Sequence, residues 1–176
     1  MEIYLVRHTR VDLQEPTCYG QTDLPVMATF EQEAAVTKAK LDGITFDKVY
    51  CSPLLRAAKL AAFCGYPDAE RDDRLKEMFM GDMELVPFRC VPREEIDKWY
   101  ESYIDIQMPG GESTRDLYNR VKSFFDELRA IYKNFTPAEA QRIKDIEKVT
   151  DKGDYYGAVL MVNDVDGYQW YMRLTV

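Results

Sequence analysis

An arginine and a histidine, Arg7 and His8, stand where a short apolar run stops, and a second arginine, Arg56, and a glutamate, Glu77, follow at the edges of later segments. An imidazole with one ring nitrogen held by a backbone carbonyl has its tautomer fixed and can attack through the other. Arg7 and Arg56 carry planar, permanently charged forks that could clamp a tetrahedral oxyanion. A carboxyl group at Glu77, sheltered close to a phosphate dianion, would have its pKa raised by repulsion and burial, which suits it to protonate a leaving alkoxide. Taken singly, the histidine reads at least as well as a structural one, and the arginine and the glutamate read more readily as a surface arginine and a solvated glutamate. Their placement at the ends of predicted strands and the start of a helix is what groups them.

The elements that must position them follow from periodicity and punctuation. Ile3 to Val6 reads as a buried strand ending at Arg7, and residues 11 to 28, with Pro16, Gly20 and Pro25, read as a long loop. Thr29 with Gln32 predicts a capping box, with helix formers up to Leu41 and a stop at Gly43. Phe46, Val49 and Tyr50 suit a second strand, after which Ser52 and Pro53 predict an N-cap and N1 ahead of a helix closed by Gly65. That order puts Arg56 near the carboxyl edge of the sheet, where ligands of α/β folds collect.

Residues 66 to 91 read as loop with one short strand, and Pro92 to Tyr103 as a helix. Ser113, three residues ahead of Asp116, opens a further helix whose Leu117, Val121, Phe124, Phe125, Leu128, Ile131 and Tyr132 repeat at helical spacing. Thr136 starts another helix running to about Val149. Ala158 to Val162 reads as an apolar strand, and the Asp166–Gly167 turn leads to an aromatic tail. Strands alternating with helices predict an α/β fold with a mainly parallel sheet.

Composition narrows the function classes. The chain has 176 residues, a single histidine and a formal net charge of −8, which predicts one domain spanning 1–176 and excludes two-histidine metal motifs. The acidic balance speaks against nucleic acid or an anionic membrane as a partner, yet leaves room for a small anionic substrate in a local arginine cluster. No apolar run is long enough for a membrane span, and Met1–Glu2–Ile3 lacks the basic start of a signal peptide, so the expected location is cytoplasmic. Cys18, Cys51, Cys64 and Cys90 form no CxxC pair and read as reduced, mostly buried thiols.

Five collinear blocks carry a family resemblance: RHT at 7–9, CYGQTDLPV at 18–26, YCSPLLRAA at 50–58, RLKEMFMGDME at 74–84 and PGGES at 109–113. Over residues 1–134 the chain resembles the histidine phosphatase, or phosphoglycerate mutase-like, superfamily. The CYGQTD segment makes it most similar to the α-ribazole-5′-phosphate phosphatase branch of cobalamin biosynthesis. The resemblance implies a three-layer α/β/α sandwich and a phosphomonoesterase without metal or other cofactor. It further implies that His8 accepts the phosphoryl group, that Arg7 and Arg56 bind its oxygens, and that Glu77 donates the proton. Tyr19, Gly20 and Gln21 would belong to the loop that closes on substrate, and Ser113 would cap a helix near the pocket.

The chain also departs from the family pattern. Met83 stands where an aromatic is common, residues 135–176 diverge, and the chain stops where the family continues into another helix. A second histidine is expected after a late apolar strand, but Asn163 and Asp164 follow Ala158 to Val162 instead. Asn163 could donate an amide hydrogen bond to the phosphoryl group in its place, whereas an ionised Asp164 would repel that group. Alternatively, the segment from 135 onward forms a terminal hairpin unrelated to the family's last strand. Two functions follow: a phosphatase working through phospho-His8 on a small phosphorylated metabolite such as α-ribazole 5′-phosphate, or an impaired homologue that binds a phosphorylated ligand. A mutase would need a pocket closed to water, for which the loops offer no signal.

Overall fold

Side chains alternate across a strand, and the first strand, β1 (Glu2–Arg7), uses both of its faces. Ile3 and Leu5 pack with Tyr50, Leu75, Phe124 and Leu128. Tyr4 and Val6 pack on the other side with Phe30, Ala34, Cys51, Ala57, Leu60 and Ala61. An apolar run buried on both sides requires a layer of helices on each, and the structure supplies them. The computed structural model describes residues 2–131, 158–163 and 172–174.

One layer contains α1 (Phe30–Lys40) and α2 (Leu55–Phe63), and the opposite layer contains α4 (Thr114–Ile131). Ala34 of α1 and Ala57 and Ala61 of α2 are buried in one cluster with Val6 and Cys51 of the sheet. Phe124 of α4 meets Tyr50 edge-to-face at 5.2 Å, a favoured aromatic geometry. Strand β2 (Lys48–Cys51) precedes α2, and the short β3 (Glu70–Arg71) follows it. Helix α3 spans Arg93–Glu101, and β4 (Ala158–Asn163) and β5 (Met172–Leu174) complete the described elements.

The strand order is β3-β2-β4-β1-β5. β5 runs parallel to β1 and β3 parallel to β2, while β4 is antiparallel to both β1 and β2. The described strands therefore agree with a mainly parallel α/β/α sandwich, β4 being the exception. The strand order and the direction of β4 each overturn an expectation. β4 and β5 flank β1 on opposite sides, so they do not form a terminal hairpin. Asn163 pairs with Glu2, while Ala158 pairs with Arg7, so the carboxyl end of β4 lies about 17 Å along β1 from Arg7 at ~3.4 Å per residue. Asn163 cannot stand opposite His8. An apolar run specifies burial but carries no direction; the connection from 132 to 157 decides that, and it lies outside the described residues, as do Asp164, the expected helix from Thr136 and the Asp166–Gly167 turn.

The helix starts show which caps are local. At α4 the capping box forms: Asp116 N–H donates to Ser113 Oγ at 3.1 Å and Ser113 N–H donates to Asp116 Oδ2 at 3.0 Å. At α1 it does not, because Thr29 Oγ1 donates to Glu33 Oε1 at 2.6 Å and Gln32 plays no part. α2 begins at Leu55 rather than at Pro53. Its Leu55 N–H donates to Asp23 Oδ1 at 2.6 Å, a cap delivered from the long loop, while Ser52 Oγ accepts from Leu54 N–H. Of the four free thiols, Cys18 and Cys51 are buried, Cys64 is half-buried and Cys90 is exposed, so only part of the set is core.

Candidate active site

His8 follows the last residue of β1 and is 9% exposed. Its Nδ1 donates to the carbonyl of Thr9 at 2.6 Å, and Nε2 accepts from Arg56 Nε at 3.3 Å. This pattern assigns the ring proton to Nδ1 and leaves the Nε2 lone pair facing the site. Burial lowers the pKa of His8 to about 4; the Thr9 hydrogen bond opposes the shift, and the charges of Arg56 and Arg7 add to it. The ring is neutral at neutral pH, the state a nucleophile requires.

Arg56 lies in the first turn of α2 and is fully buried. Besides His8, its guanidinium donates to the Thr22 carbonyl at 3.0 Å, to the Gly20 carbonyl, and to Glu77 Oε2 at 3.0 Å. The Tyr19 ring lies beneath it, 5.3 Å from ring centroid to guanidinium carbon. A buried, fixed cation of this kind is pre-aimed at an anion and costs little reorganisation when charge develops. Arg7 is exposed at the end of β1, and its charge lowers the pKa of both His8 and Glu77.

Glu77 Oε2 is 4.0 Å from His8 Nε2. Burial raises its pKa, and the nearby Arg56 only partly offsets that effect. A carboxyl raised in this way holds a proton further up the pH scale than an exposed glutamate does. The geometry thus brings a neutral imidazole, a buried guanidinium and an acid-tuned carboxyl to one place, from three segments of the chain.

Gly20 and Gln21 meet the site through their backbone and side chain. A Cβ at Gly20 would stand 1.8 Å from the Met78 carbonyl oxygen, so only glycine fits there. Gln21 Nε2 donates to the Glu77 carbonyl at 3.1 Å. The expected residues Arg7, His8, Arg56, Glu77, Tyr19, Gly20 and Gln21 therefore gather at this end of β1 and β2, whereas Asn163 lies at the opposite end.

Sequence reasoning missed the residues that hold the loops. The Glu84 carboxylate accepts from the N–H groups of Gly20, Gln21, Thr22 and Met80 at 2.8 to 3.1 Å. Burial opposes its ionisation, but hydrogen bonds from Thr22, Gly20, Gln21 and Met80 prevail and lower its pKa. Glu112 and Arg120 brace the segment that bears Glu77. The pairings of Glu84 with residues 20–22 and of Arg120 with the carbonyls of residues 74–77 have no local sequence signal, because the partners lie more than 40 positions apart in the chain.

The sequence profile of the histidine phosphatase superfamily (branch 1) matches residues 3–136. The chain belongs to that superfamily. Among curated relatives, "Probable phosphoglycerate mutase GpmB" of Escherichia coli O1:K1 is 32% identical over 148 residues, covering 78% of this chain and 67% of the relative. The crystal structure of TTHB049 from Thermus thermophilus superposes with a TM-score of 0.59 at 26% identity, over 70% of this chain and 71% of that one. An E. coli K-12 structure, provisionally assigned as an alpha-ribazole-5'-P phosphatase, gives a TM-score of 0.62 at 24% identity over 74% and 68% of the two chains, and shows the shared fold. The enzyme is thus a phosphatase of the histidine phosphatase superfamily with a phosphoglycerate mutase-like fold. Among its described residues no helix is long and apolar enough to cross a membrane.

Proposed function

We propose that this histidine phosphatase is a metal-independent phosphomonoesterase that works through a phosphohistidine at His8 on a small phosphorylated metabolite. The observation that carries the reading is the neutral His8 ring, its Nδ1 bonded to Thr9 and its Nε2 directed at Arg56 and Glu77. Nε2 attacks phosphorus as the ester P–O bond breaks, and Glu77 gives its proton to the departing alkoxide. Arg56, with Arg7, offsets the charge on the phosphoryl oxygens, so the Arg56 Nε bond to Nε2 is exchanged for one to phosphate. Water then attacks the phosphohistidine, Glu77 takes up a proton, and release of phosphate restores His8.

The candidate substrate is α-ribazole 5′-phosphate, supported by the CYGQTD segment at 18–23 and by the provisional assignment of the E. coli neighbour. That substrate would place the enzyme in cobalamin biosynthesis, as a cytoplasmic single-domain protein with neither nucleic acid nor membrane as a partner. Phosphate release from p-nitrophenyl phosphate and α-ribazole 5′-phosphate, with and without chelator, tests the reading. Turnover should survive chelation and disappear in His8→Ala; turnover unchanged by His8→Ala would exclude the mechanism.

The register that pairs Asn163 with Glu2 favours a second reading, a phosphate-ligand-binding homologue of reduced activity. Lacking one preorganised donor to the phosphoryl oxygens costs about 2.7–4 kcal/mol, roughly 100 to 1000-fold in rate. Calorimetry separates the two: binding of inorganic phosphate, weakened by Arg56→Ala, with no turnover of either ester would support the second reading.

A further inference from the structure

Residues 76 to 80, which carry Glu77, belong to neither helix nor strand, so their backbone groups must find partners elsewhere. Two of those partners, for the carbonyls of Lys76 and Glu77, come from one side chain in α4. Arg120 Nη1 donates to the carbonyls of Arg74 at 2.9 Å and Lys76 at 2.8 Å, and Nη2 donates to the carbonyl of Glu77 at 3.3 Å. Its Nε and Nη2 also grip the Glu112 carboxylate, at 2.9 and 2.8 Å. A planar guanidinium held by two parallel bonds has a fixed orientation, which a flexible ammonium cannot match.

Glu112 continues the brace past Glu77. Its Oε2 accepts from Phe79 N–H at 2.8 Å, and its own N–H donates to the Phe79 carbonyl at 2.8 Å. The adjacent Gly111 lets the two backbone segments meet, since a Cβ there would lie 2.4 Å from the Phe79 carbonyl oxygen. The chain is therefore held on both sides of Glu77, by groups that do not touch the His8 ring.

We propose that Arg120, braced by Glu112, is a positioning residue for the proton donor Glu77. By fixing the carbonyls of residues 74, 76 and 77, it holds the carboxyl within reach of an ester oxygen at His8. The inference rests on the phosphohistidine reading above. It has a chemical signature, because an alkoxide needs a proton to leave whereas p-nitrophenolate does not. A displaced acid therefore harms alkyl phosphates selectively, while a general loosening of the site harms both classes.

The test compares kcat/KM for a primary alkyl phosphate and for p-nitrophenyl phosphate in the wild type, Arg120→Ala, Arg120→Lys and Glu77→Gln. A misplacement of about 1 Å can cost roughly 100-fold, and acid catalysis supplies roughly 100 to 10,000-fold. Arg120→Ala should therefore fall roughly 30-fold further on the alkyl ester than on the aryl ester, with Glu77→Gln skewed the same way. Arg120→Lys keeps a cation beside Glu112 but cannot span three carbonyls, so it should show the same skew and serves if Arg120→Ala does not fold. Equal losses on both esters in folded Arg120→Lys, or no loss on either, would overturn the proposal. A wild-type protein that hydrolyses neither ester would overturn the phosphohistidine reading and this inference with it.

Discussion

Replacing Arg56 by alanine removes the cation on which the site converges. The guanidinium is fully buried and bonded to His8, Thr22, Gly20 and Glu77. Its loss leaves two carbonyls unpaired and a sheltered carboxyl without its counter-charge, a break that costs about 3–5 kcal/mol. At ~2–4 °C per kcal/mol for a chain of this size, Tm should fall by about 6–20 °C. Activity should fall roughly 100 to 1000-fold, the usual cost of removing one preorganised stabiliser of the reacting oxygens. The pH profile should move as well: Arg56 lowers the pKa of both His8 and Glu77, so both titrations shift upward without it. The assay is kcat/KM on a primary alkyl phosphate, whose leaving alkoxide needs the Glu77 proton, across pH and well below the melting transition, beside a thermal melt. Arg56→Lys should be intermediate, since one ammonium cannot serve four partners. A folded Arg56→Ala protein within about threefold of wild-type kcat/KM, or with an unmoved acid limb, would refute this account of the site.

On an alkyl phosphate, wild-type kcat/KM should be bell-shaped: it rises as His8 loses its proton near pH 4 and falls as Glu77, held above the ordinary value of 4.5, gives up its own. A Glu77→Gln profile that keeps the upper limb would assign that limb to another group. Glu84→Gln should cost about 2 kcal/mol, because the carboxylate gathers four backbone N–H groups from two loops. The lowered pKa of Glu84 means its contribution is present above its unfolded value and is lost as pH falls through the folded one. Melts of wild type and Glu84→Gln should therefore differ at pH 7 and converge in acid; a gap that persists at the lowest pH would contradict the ionised role.

Most features that depend on neighbours in the chain were legible, because periodicity and caps act over a few residues; the exceptions are the Thr29 capping box, displaced by the Thr29–Glu33 bond, and the Pro53 helix start, displaced to Leu55 with its cap from Asp23. The apolar run of β1 ends at Arg7 as the pattern predicts, Ser113 and Asp116 form their capping box, and α4 buries Phe124 and Leu128 on its apolar face. The family blocks likewise mark His8, Arg56 and Glu77, whose residue types state the chemistry. Their mutual geometry was not legible. Nothing local in residues 18–26 says that Asp23 will cap α2 or that the Gly20 and Thr22 carbonyls will seat Arg56.

The single histidine, the acidic balance and the ordered blocks are properties of the sequence by itself, and they determine the family and the candidate nucleophile. The direction of β4 is a tertiary property, and it separates Asn163 from the site even though the run from Ala158 to Val162 forms the strand that its residues specify. The pKa values of His8 and Glu77, and the braces from Glu84 and Arg120, are tertiary too. Burial and long-range hydrogen bonds depend on which surfaces meet, and residues tens of positions apart carry no local record of that meeting.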